Sequence, residues 1–134
     1  MTVNTPILEV LHRAADGLLF PSETDAPLVP FFWPDERPST PTPGLLREKA
    51  GVAPDAKIKS VRLETFFRPA TREEEWHNAG EKAEVARFQE LAQTLRRTLR
   101  GVKVFRVGET EIAVYIVGKV EGGWAGLRTC VVES

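Results

Sequence analysis

The amino-acid sequence predicts an α+β fold in which a mainly antiparallel sheet lies between helical layers. Three features lead there. A helical period runs from Val85 to Leu99, strand alternation replaces it after Gly101, and the middle strand run is apolar on both sides. A strand with two apolar faces must be covered on both. The chain has 134 residues, 42% of them hydrophobic and 28% charged, enough for one domain with a sizeable core. Neither repeats nor a boundary divide it, so residues 1–134 are expected to form a single domain.

The first helix is signalled by Thr5 as N-cap and Pro6 at the first helical position, with Ile7, Leu8, Leu11 and Ala15 on one face and Gly17 as the stop. Eight of the ten prolines then fall between Pro21 and Pro54. Within that stretch "PLVPFFWP" has strand composition, and its prolines place it at a sheet edge. Thr42-Pro43 opens a short helix through Leu45, Leu46 and Ala50, closed by Gly51. Ile58 to Leu63 reads as a strand. Thr71 with Glu74 three residues on has the spacing of a capping box, which predicts a short helix carrying Trp76.

The long helix follows, with Val85, Phe88, Leu91, Ala92, Leu95 and Leu99 at helical spacing. Arg96, Arg97 and Arg100 suit its C-terminal dipole, and Gly101 is the expected stop. "VKVFRV", "EIAVYIVG" and "LRTCVVES" are strands joined by glycine-bearing hairpins. In the middle run Ile112, Val114 and Ile116 point one way, and Ala113, Tyr115 and Val117 the other.

The residues offer little for catalysis. His12 and His77 stand outside any ligand or acid–base spacing. Cys130, the single cysteine, alternates with Thr129 and Val131 and reads as a buried strand residue. "VEGGWAG" is a hairpin turn without the lysine or helix start of a phosphate loop. "RRTLR" is basic, but a pI near 6.2 does not suit a dedicated nucleic-acid binder. No cofactor and no metal site of the protein's own is expected. The opening twenty residues lack a signal-peptide pattern, and no run approaches the roughly 20 apolar residues of a membrane helix. A cytoplasmic protein is the expectation. Residues 1–40 hold six acids against two bases, a balance of −4, which favours a basic protein partner.

In "DGLLFPSETD" an apolar patch meets Ser22, Glu23, Thr24 and Asp25. On the residues alone this is a cap or turn, or else a carboxylate held out on a stiff loop. "ADGLLFPSETDAP" in residues 15–27, "FFRPAT" followed by Trp76, "VARFQEL", "RVGETEIAVYIVG" and "AGLRTCVVES" occur in order along the chain. Together they resemble the nuclease A inhibitor family (NuiA-like proteins), small proteins that block sugar-non-specific endonucleases. Only residues 34–57 look unlike that family.

The resemblance implies a three-layer α/β/α sandwich related in shape to pathogenesis-related protein 1. It also implies that the glutamate after the "GLLF-x-S" run, here Glu23, enters the nuclease active site toward its catalytic magnesium. The family's C-terminal residue, here Ser134, lies at the same contact, with Ser22, Thr24, Asp25 and Glu133 around the two. Magnesium takes oxygen ligands and keeps waters, so a carboxylate can stand where a phosphodiester would. Phe20 as a core anchor, Pro21 with its fixed φ, and local bonds from Ser22 and Thr24 would keep the loop stiff. The partner implied is a metal-dependent nuclease in a 1:1 complex with an otherwise monomeric inhibitor. No direct contact with nucleic acid or membrane is implied. The alternative is a protein–protein interaction module on the same fold that inhibits no nuclease. Trp33 and Trp76 could serve an interface, although core packing is the expected role of both.

Overall fold

The computed structural model describes residues 5–133. Helix α1 spans Thr5–Ala15 and ends where Gly17 takes a left-handed conformation (φ 75°). Leu11 and Ala15 are its buried residues. Two short strands, β1 (Leu19–Phe20) and β2 (Ala26–Pro27), pair antiparallel. Strand β3 (Val29–Pro34) follows, then helix α2 (Pro43–Ala50). The Thr42 hydroxyl caps α2 by accepting from the Leu45 N–H at 3.1 Å, and Gly51 closes it in the left-handed region. Strand β4 (Ile58–Val61), helices α3 (Leu63–Thr71) and α4 (Ala79–Thr98), and strands β5 (Arg100–Val107), β6 (Glu111–Val120) and β7 (Gly123–Val132) complete the order.

The main sheet has five antiparallel strands in the order β3-β7-β6-β5-β4. The proline-bearing β3 is therefore an edge strand, as its composition predicts, since a proline cannot donate to a neighbour on both sides. The two apolar faces of β6 are both covered. Ile112, Val114 and Ile116 join a cluster with Leu11, Phe66, Phe67, Phe88 and Leu95 from α1, α3 and α4. Tyr115 and Val117 join a smaller cluster with Phe105, Trp124 and the α2 residues Leu45 and Leu46.

Several local expectations are corrected. The strand ends at Val61, because Leu63 opens α3, whose Leu63, Phe66, Phe67 and Ala70 are buried at helical spacing. Thr71 is the last residue of that helix, and its hydroxyl donates back to the Phe67 carbonyl at 2.9 Å rather than capping a new helix. The capping box belongs to Asn78 and Glu81 at the start of α4, with reciprocal bonds of 2.8 and 3.0 Å. Trp76 lies in the intervening turn and is 73% exposed, edge-on to His77, so it is not a core residue. Trp33 is half-buried against Phe31 and Tyr115.

The long helix ends at Thr98 without a glycine. Gly101 (φ 60°) sits instead in β5, where the pairing with β6 shifts register between Arg100 and Lys103. A left-handed residue at such a bulge suits glycine, which has no Cβ to strain. Cys130 is exposed rather than buried. On β7, Leu127, Thr129 and Val131 face the helical cluster, while Arg128 and Cys130 face away, and both are exposed.

Candidate functional site

Residues 21–25 form the loop of the small β1–β2 hairpin, with Glu23 at its middle. Phe20 fixes the entry strand. It is 3% exposed and stacks on Phe66 at 4.3 Å, with Phe67 and Phe88 edge-on. A ring held on three sides leaves the following proline little room to move, and Pro21 fixes its own φ.

Ser22 organises the loop. Its hydroxyl donates to the Thr24 carbonyl at 2.8 Å and accepts from the Thr24 N–H at 3.3 Å. The same oxygen accepts from the Val132 N–H at 3.2 Å, while the Glu23 N–H donates to the Val132 carbonyl at 3.4 Å. Asp25 closes the turn by accepting from the Ser22 N–H at 3.4 Å. One serine oxygen and one backbone bond thus hold residue 23 against residue 132, over a hundred positions away in sequence. The side chains of Glu23 and Thr24 are exposed.

The last described residues are held as firmly. The Glu133 N–H donates to the Thr110 carbonyl at 2.9 Å, and its carboxylate pairs with Arg106 of β5 at 2.6 Å. Between the hairpin and this segment lies a groove of about 430 Å³. Phe66, Pro69 and Val131 contribute apolar walls, and Glu23, Arg106 and Glu133 stand among its lining residues.

Of the residues singled out in sequence, Ser22, Glu23, Thr24, Asp25 and Glu133 therefore lie in one region. Ser22 and Asp25 act on the loop backbone. Ser134 lies outside the described residues. Sequence reasoning missed the hairpin pairing, Val132 as the loop's anchor and Arg106 as the partner of Glu133. Two-residue strands carry no periodicity, and no local pattern links residue 106 to residue 133.

His77 has a structural task, accepting from the Glu74 N–H through Nδ1 at 3.0 Å. Among the described residues no group of three His, Cys, Asp or Glu could hold a metal ion. No helix of the described residues is long and apolar enough to cross a membrane.

The hairpin is thus stiffened from within and tied to a distant strand, with Glu23 exposed at its middle. A family model described as nuclease A inhibitor-like protein matches residues 5–134, and the chain belongs to that family. A search of curated proteins found no match.

Proposed function

We propose that this protein inhibits a metal-dependent, sugar-non-specific endonuclease by presenting the Glu23 carboxylate to the enzyme's catalytic magnesium. The observation that supports this most is the double tie between the hairpin and β7, through the Ser22 hydroxyl and the Glu23 N–H. It keeps the acidic residue on a backbone with little ordering left to lose when a partner binds. Magnesium keeps part of its water shell in most sites, so the carboxylate can act on the ion directly or through a bound water.

Ser134 is the second contact on this reading, with Glu133 beside it, and Thr24 borders the approach. The complex is one inhibitor to one enzyme, with no cofactor brought by the inhibitor, and the protein acts in the cytoplasm. The two hydrophobic clusters are then the two interlayer cores of a three-layer α/β/α sandwich like that of pathogenesis-related protein 1. Residues 1–134 work as one domain.

Titration into a nuclease of this class tests the proposal. Cleavage of both DNA and RNA should stop near one inhibitor per enzyme. Undiminished cleavage at large excess, against the nuclease encoded by the same source, would favour a binding module with another target.

A further inference from the structure

A second groove, of about 330 Å³, runs between α1 and α4 and shares no lining residue with the Glu23 region. That volume falls within the range of small-molecule sites, roughly 300–1,000 Å³. Val10, Ala14 and Leu91 supply apolar surface, and Arg13, Arg87 and Arg97 line it with positive charge against the single acid Glu90.

Eight of the twelve arginines are in no described ion pair, and three of those eight line this one groove. Arg37, Arg72, Arg96 and Arg106 are each paired with a carboxylate. Among the described residues Arg13, Arg87 and Arg97 are in no ion pair. Helix dipoles account for Arg13 and Arg97, which lie in the last turns of their helices. They do not account for Arg87, which stands in the middle of α4.

Thr94 is an independent sign. It is only 7% exposed yet lines the groove. Its hydroxyl accepts a long bond from Arg97 at 3.5 Å. No described hydrogen bond uses the hydroxyl proton. This hydroxyl and three guanidinium groups line one groove, a donor set that suits a ligand made of acceptors.

We propose that the α1–α4 groove binds a phosphate group. Guanidinium forks match phosphate oxygens with paired, charge-assisted hydrogen bonds, and the Thr94 hydroxyl adds a neutral donor. The phosphate can come from the free ion or from an organic monoester whose body rests on Val10, Ala14 and Leu91.

The test is an amide-resolved NMR titration at constant ionic strength, with inorganic phosphate in one arm and a nucleoside 5′-monophosphate in the other. Saturable shifts at Val10, Thr94 and Arg97 are expected. Tighter binding of the monoester assigns the apolar surface to its organic part, and equal affinity assigns the site to the free ion; both support a phosphate site. The exposed double substitution Arg87→Gln/Arg97→Gln should weaken binding about tenfold or more with an unchanged amide spectrum elsewhere. Shifts that never saturate, or binding equally strong in that variant, would overturn the proposal. Glu23→Gln should bind phosphate like wild type, so this result is independent of nuclease inhibition.

Discussion

Two loops of this protein begin alike. Phe20-Pro21-Ser22-Glu23 and Trp33-Pro34-Asp35-Glu36 each run from an aromatic residue through a proline into acids. Their fates differ. Asp35 is enclosed by its own molecule: Arg37 donates to it through Nε at 3.0 Å and Nη2 at 2.8 Å, and Lys49 lies 2.9 Å away. Arg37 also pairs with Glu48, and its guanidinium lies 5.4 Å from the buried Trp124 ring. These hydrogen bonds, those from Arg37 foremost, hold the Asp35 carboxyl far below the usual carboxylate range. In the first loop the side chain that organises the turn is the neutral Ser22, and Glu23 is exposed. The same opening pattern thus yields a carboxylate braced by Arg37 and Lys49 in one loop and, in the other, a turn organised by a serine hydroxyl.

The largest effect should come from removing what anchors the Glu23 loop. Phe20→Ala takes away a buried ring in contact with Phe66, Phe67 and Phe88 and should cost about 3–5 kcal/mol. Denaturant unfolding measures this, and inhibition should weaken as the hairpin loosens. A variant as stable as wild type would mean that the ring does not anchor the loop.

Ser22→Ala separates rigidity from charge. It removes the oxygen that bonds Thr24 and Val132 while leaving Glu23 in place. A loss of about 1 kcal/mol in stability is expected, with a measurable fall in affinity for the nuclease. Unchanged affinity would show that the tie to β7 does not matter for presentation.

Asp35→Asn addresses the bracing loop and should show in the pH dependence. The folded-state pKa of Asp35 is depressed, so the unfolded chain holds the extra proton. Its stabilisation is therefore complete above the ordinary carboxylate pKa of about 4 and is lost as pH falls below it. The variant should melt below wild type at neutral pH, and the gap should narrow in acid, as read by melting temperature against pH. Inhibition at neutral pH should not change, since the contact we propose lies in the Glu23 loop.

Much of the fold was legible because its elements are long. The alternation of β6 requires cover on both faces, and α4 keeps its stripe for four turns. Short or ambiguous elements were not legible. Thr71–Glu74 and Asn78–Glu81 have the same capping spacing, and the burial of Phe66 and Phe67, which makes Thr71 the end of α3, decides between them. Cys130 alternates like a core residue, but alternation does not reveal which part of a sheet face lacks cover. Glu23 was singled out through resemblance. The bonds that position it join residues 22 and 23 to residue 132, and no local pattern contains them.

The most direct test of the central claim is the inhibition constant of Glu23→Gln against a sensitive metal-dependent nuclease, with the melting temperature measured alongside. Loss of a carboxylate from a charge-matched contact should weaken inhibition about 30-fold or more and leave the melting temperature where it was. A variant that folds normally and inhibits as tightly as wild type would contradict the claim that Glu23 is the element presented to the enzyme.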